Sequence, residues 1–96
     1  MDGIKFDKDK IRYSLLPWDA IRSVVEVLEY GAKKYSVANW QKVPGARDRY
    51  FDAAQRHLIA WYLGENNDPE SGLPHLAHCV CCILYLLWFQ LNPPGE

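Results

Sequence analysis

Apolar positions along the chain mark out three helical segments joined by polar loops. In the first, Ile21, Val24, Val25, Leu28, Ala32 and Tyr35 recur at spacings of three and four, the repeat of one buried helix face. Asp19, just after Pro17, is the expected N-cap, and the helix should end near Tyr35. A second stripe of Tyr50, Ala53, Ala54, His57, Leu58 and Trp61 predicts a helix over 49–63. Asp48 stands where a cap would, and Gly64 where a C′ glycine stops a helix. The third segment, 74–89, is apolar nearly all round, with His75 and His78 as polar exceptions in its first turn. Pro74 opens it, where a missing N–H costs nothing, and Asn92-Pro93-Pro94 closes it. A helix without a polar face should be surrounded by others. The fold class is therefore all-α, a small bundle of three main helices.

Ahead of the helical body, 18–91, lies an arm over 1–17. There Ile4, Phe6, Ile11 and Tyr13 alternate with charges around a turn at Asp7-Lys8-Asp9-Lys10. The arm is expected to be extended or a short hairpin laid over the body. Its lysines and Arg12 form a solvated edge or reach over a phosphate site. Gly31, inside the first helical pattern, costs about 1 kcal/mol relative to alanine, which suggests that another backbone or a ligand comes close there.

Composition narrows the setting. The chain has 96 residues, enough for one domain with a single core. Eleven basic residues against twelve acidic ones give no charge excess to hold double-stranded nucleic acid. Three cysteines on one helix are not a disulfide framework. They read as packed thiols in a reducing, cytoplasmic setting, and the charged start lacks an apolar signal region. The apolar run 79–89 is about half the length of a membrane span, so no membrane is expected. So apolar a helix in so short a chain points to a homo-oligomer.

Two groupings carry candidate chemistry. Glu26 and Glu29 form an E-x-x-E pair one helical turn apart, a spacing that lets two carboxylates share a hard divalent cation. The same residues also make i,i+4 pairs with Arg22 and Lys33, as on any solvated flank. All three histidines, His57, His75 and His78, fall on or near buried faces, and Asp68 and Glu70 precede two of them. Imidazoles beside carboxylates can ligate a metal, transfer protons or donate to phosphate. His75 with Cys79, and His78 with Cys82, are i,i+4 neighbours. A structural zinc site would need a second Cys/His cluster, which the chain lacks. No glycine-rich phosphate loop and no G-x-S-x-G occurs, so any nucleotide must be held by side chains between helices.

Taken together, several phrases resemble one family. They are Lys5 to Tyr13 with Leu15-Leu16-Pro17, Glu26 to Tyr35, Asn39-Trp40, Arg56-His57-Leu58, and Asp68-Pro69-Glu70-Ser71-Gly72 with His75-Leu76-Ala77-His78. The chain resembles the phage and prophage dATP/dGTP diphosphohydrolase N-terminal-domain family, which looks related to MazG-like all-α nucleotide pyrophosphatases. The resemblance implies a usually oligomeric helical bundle that uses Mg²⁺ or Mn²⁺ to cleave a purine (d)NTP between its α- and β-phosphates. Glu26 and Glu29 match the family's first E-x-x-E, whereas His75-x-x-His78 stands where an E-x-x-D is usual. On that reading Glu26, Glu29, Asp68 and Glu70 hold the metal, and Glu26, His57, His75 and His78 serve catalysis. Lys33, Lys34 and Arg56 meet the phosphates, and Asn39 and Trp40 the base. The alternatives are a nucleotide-sequestering protein on the same scaffold and a plain interaction module.

Overall fold

The computed structural model describes residues 2–94. A 3-10 turn over Tyr13–Leu15 leads into helix α1 (Trp18–Lys34), and a second 3-10 turn, Asn39–Lys42, leads into α2 (Ala46–Tyr62) and then α3 (His75–Leu91). The expected three-helix all-α fold is what forms. Among the described residues, extended pairing is limited to one isolated bridge between Asn67 and Pro74. Both α1 and α2 pack against α3, which is the central element.

Helix α1 starts at Trp18 as expected, but the N-caps of α1 and α2 both differ from expectation, since neither is made by a side chain. Pro17, in extended conformation, is the N-cap of α1. Asp19 instead sits in the first turn, where its Oδ1 accepts the Ala20 N–H at 2.8 Å and faces the positive helix end. At α2 the cap is Gly45, left-handed at φ 66°, so the helix starts at Ala46 and Asp48 lies inside its first turn. The end of α2 follows the sequence closely. Gly64, at φ 106°, is C′; its N–H reaches Trp61 O, and Glu65 N–H reaches Ala60 O, the paired bonds of a Schellman motif. Pro74 is the N-cap of α3, and Asn92 caps its end by donating from its backbone N and from Nδ2 to Trp88 O. A frayed tail is expected over 92–96, of which Gly95 and Glu96 lie outside the described residues.

The core is built from small side chains. Val24, Val27, Ala77 and Cys81 form one cluster, with Leu28, Leu73 and Tyr85 packed on it. Ala54 and Cys82 are also buried, and the Cys81 thiol donates to Val24 O at 3.4 Å. This rotates the buried faces from those expected. Val27 replaces Val25 on α1, while Val25, Tyr35, Leu58 and Trp61 are exposed. Helices that meet over alanine and cysteine approach closely, and the bulkier stripe residues are left on the flanks.

Two further expectations are corrected and one, that for Gly31, is narrowed. The arm is extended and turns at Lys8-Asp9, with Lys10 N–H on Asp7 O, but it does not lie on the body: Ile4 and Phe6 are 82% and 88% exposed. No backbone approaches Gly31, where an added Cβ would meet nothing within 4 Å; it lines a cleft. And α3 is covered on one side only, since Leu76, Val80, Ile83, Leu84 and Leu87 form a continuous exposed stripe.

Candidate functional site

The α2–α3 loop is folded tightly onto itself. Asp68 N–H donates to Leu73 O at 2.8 Å, Gly72 N–H to Asp68 O at 2.7 Å, and His75 N–H to Asn66 O at 2.9 Å. Gly72 is left-handed, at φ 72°, which lets the chain reverse without a side-chain clash. The result aims Asp68 and Ser71 at the first turn of α3, where α2 delivers His57 from the other side.

Hydrogen-bond valence determines which nitrogens carry protons. Ser71 N–H and Ser71 Oγ both reach Asp68 Oδ2, at 2.9 and 3.0 Å. A carboxylate only accepts, so the serine hydroxyl spends its one proton on Asp68. Ser71 Oγ must then accept from the other atoms around it, Leu73 N–H at 3.2 Å and His78 Nε2 at 2.7 Å. His78 is thereby held with its proton on Nε2 and a lone pair on Nδ1. The same logic applies to His75, 4% exposed, whose Nε2 lies 2.6 Å from Glu65 Oε1. With the ring neutral, its proton is on Nε2 and its Nδ1 accepts from His57 Nδ1 at 2.8 Å. The His57 and His78 rings stack at 4.6 Å and 10°, and Tyr30 meets His78 edge-on.

Electrostatics match this arrangement. Burial, reinforced by the neighbouring His78 and His75, lowers the His57 pKa, and burial lowers that of His78, so both rings are neutral at pH 7. Burial alone would raise the Asp68 carboxyl, but the two Ser71 hydrogen bonds outweigh it and hold Asp68 below the usual range. Lys34 is ion-paired with Glu70, which raises the ammonium and lowers the carboxyl.

A cleft of about 320 Å³ opens over these groups and includes Lys34, Arg56, His57, Asp68, Glu70 and His78. A second, apolar cleft of about 360 Å³ lies against it, shares Gly31, Tyr35 and Tyr85, and is bordered by Asn39 and Trp40. Asn39 thus lines a cleft. Trp40 lines the same cleft, and its ring is also engaged by α3, stacked on Tyr85 at 4.5 Å and 12° and meeting Trp88 and Phe89 edge-on.

The structure does not gather Glu26 and Glu29 with this site. Both are exposed, and Glu26 pairs with Arg22 at 3.5 Å; on α1 they lie roughly 90° and 150° round from the cleft-facing side at 100° per residue. Lys33 is exposed on that flank too. Of the four carboxylates expected to hold a metal, Asp68 and Glu70 reach the cleft, and Lys34 already engages Glu70. An all-oxygen cage for Mg²⁺ is therefore not assembled among the described residues. What is assembled is His57, Asp68 and His75, each offering a ligand atom within 4.8 Å of the others. That mixed nitrogen and oxygen set suits Mn²⁺ and its transition-metal neighbours.

Sequence reading did not single out Glu65, Ser71 or Tyr30. Glu65 and Ser71 read as polar loop residues, and their roles depend on the loop closing. Tyr30 sits between stripe positions.

A family model described as dATP/dGTP diphosphohydrolase, N-terminal, matches residues 2–96. A protein of Salmonella phage PMBT28 described as a dATP/dGTP diphosphohydrolase is 36% identical over 94 residues, which is 98% of this chain and 32% of that relative. The chain thus spans about a third of the length of the curated relative it matches. No solved structure matches it.

Proposed function

The chain belongs to the dATP/dGTP diphosphohydrolase N-terminal family, and from that premise we propose that it hydrolyses a purine deoxynucleoside triphosphate to the monophosphate and pyrophosphate. The observation that carries this reading is the pair of adjoining clefts, one lined by cations and imidazoles and the other apolar. A triphosphate needs the first and a purine the second. Lys34 and Arg56 receive phosphate oxygens, and an arriving phosphate competes with Glu70 for Lys34. Asn39, at the wall of the apolar cleft, offers an amide to the base edge.

In the chemical step a water oxygen bonds to the α-phosphorus, and the bond from that phosphorus to the bridging oxygen breaks. Its electron pair leaves with pyrophosphate. His78, neutral and locked by Ser71 and Asp68 with its lone pair on Nδ1, takes the water proton as general base. A bound Mn²⁺ would offset phosphate charge and acidify water, and Asp68 with His57 and His75 would hold it. The exposed α3 stripe is read as the contact of a homo-oligomer.

Incubating the protein with dATP and dGTP under Mg²⁺, Mn²⁺ or chelator, with chromatography of the products, tests this. Metal-dependent monophosphate and pyrophosphate, abolished in His78→Ala, are the expected result. A second reading, sequestration without turnover, draws on the outward position of Glu26 and Glu29. It predicts bound, intact nucleotide and no product. Neither binding nor product would overturn both.

A further inference from the structure

We propose that His57, Asp68 and His75 form a binding site for a divalent transition ion of the manganese, cobalt or zinc kind, with Glu65 as the positioning residue that orients His75. The inference rests on the hydrolase reading only for its use: it names the cation that reading calls for and the residues that hold it.

The strongest observation is the 2.8 Å contact between two imidazole nitrogens. His75 Nε2–H is committed to Glu65 at 2.6 Å, so the lone pair on His75 Nδ1 points at His57 Nδ1, 2.8 Å away. Two like nitrogens brought this close are held together by a single proton, here on His57. Two nitrogens bound at about 2.1 Å to one cation lie roughly 3 Å apart. A metal ion can therefore replace that proton with a shift of a few tenths of an ångström. The balance is simple: with both rings neutral, the His57 proton moves from Nδ1 to Nε2 as the cation takes the two Nδ1 lone pairs, with no net proton lost and no redox change.

The surroundings are those of a prepared site. A ligating histidine whose other N–H is held by a carboxylate is the usual arrangement around a protein metal, and Glu65 supplies it. Asp68 is fixed through Oδ2 by both Ser71 donors, which leaves Oδ1 uncommitted. The three ligands come from α2, the closed loop and the first turn of α3, so the hydrogen bonds that close the loop also fix the site. Two imidazoles disfavour Mg²⁺, which prefers oxygen donors in a near-ideal octahedron. The three thiols are not part of the trio.

Chelator-treated protein titrated with Co²⁺ should develop visible d–d absorption that saturates at one ion per chain. Mn²⁺ or Zn²⁺ should displace that signal, and a hundredfold excess of Mg²⁺ should not. His57→Ala should lose the signal, and Glu65→Gln should weaken affinity about 10- to 100-fold with the circular dichroism spectrum unchanged. If His57→Ala does not fold, Asp68→Asn, which keeps an oxygen for the Ser71 donors, serves in its place. Glu26→Gln should bind cobalt as the parent does. Absence of a saturating signal, displacement by Mg²⁺, or loss in Glu26→Gln with retention in His57→Ala would each overturn the proposal. Its fate is separate from that of the hydrolase. Nucleotide product formed with Mg²⁺ by a chain that binds no cobalt would sink this site alone, whereas cobalt bound at the trio without product would sink the hydrolase alone.

Discussion

The two halves of α3 use the same apolar helix in opposite ways. Its first turn, with the α2–α3 loop, is a set of polar atoms in which Asp68, Ser71 and His78 form one chain of hydrogen bonds and Glu65, His75 and His57 another, all of 2.6–3.0 Å. Its second half is held by rings: Trp40 on Tyr85, Trp88 and Phe89, with Tyr50 meeting Tyr85 edge-on at 5.0 Å. The difference separates chemistry from anchoring. Polar groups that must keep a given tautomer need directional partners, whereas the α1–α2 connection needs only a large surface to sit on. Substitutions at the two ends should therefore fail differently.

The largest effect is expected at the polar end. His78→Ala should lower turnover of dATP or dGTP by about 10²- to 10⁴-fold, the range for loss of a general base, well beyond what the about 1–2 kcal/mol of stability lost with its hydrogen bond explains. Steady-state kinetics beside a thermal melt reads both. An equal fall in stability and activity would mean that His78 only packs. Trp40→Ala should behave the other way, costing about 2–3 kcal/mol of unfolding free energy, somewhat less than for a fully buried ring. Folded Trp40→Ala protein should keep its turnover number, so a loss of activity at unchanged stability would move Trp40 back to the base.

A third test concerns the outer side of α3. Replacing Ile83 and Leu87, 49% and 46% exposed, with lysine should leave the fold intact and reduce the mass measured by light scattering. A stable contact commonly covers about 800 Å² per partner. The same mass for parent and variant would show that the stripe is not the contact. Smaller still is Ser71→Ala. It removes one donor to Asp68 and the acceptor for His78, at a stability cost of about 1–2 kcal/mol. It should also lower turnover, with partial rescue in Ser71→Thr, which keeps the hydroxyl.

How much of this was legible depended on how local each determinant is. The three helices are written in the spacing of their apolar residues, and Gly64 marks its own C′ position. Helix phase was less readable. Ile21, Val24, Val25 and Leu28 make as good a stripe as the set around Val24 and Val27, and the choice fell to the small residues of α2 and α3 that permit close approach. At the site, the histidines stood out because all three fall on buried faces. Glu65 and Ser71 did not, because a loop residue acquires a partner only when the loop closes. Glu26 and Glu29 show the converse: an i,i+3 pair is plain in the sequence, but the side of the helix it faces is decided by packing.

The smallest effect is on the thiols behind the site, and it sharpens the contrast between the two halves by probing what lies between them. Burial, with a smaller push from Cys82, raises the Cys81 thiol to about 12, and burial raises Cys82 to about 11, against an ordinary value of 9.0. A thiol whose folded pKa is raised is neutral in the folded chain where the unfolded chain has already ionised. The stabilisation is therefore complete below pH 9 and is lost as pH rises through 11 and 12. Nothing should change between pH 7 and 8. Denaturant midpoints should then fall between pH 9 and 10.5, and less steeply in the Cys81→Ala, Cys82→Ala double variant. A parent and double variant that fall in parallel would show that the thiols are not sealed in the core. The packing of α1 on α3, and with it the wall of the cleft behind Asp68 and His78, would then be looser than the one described.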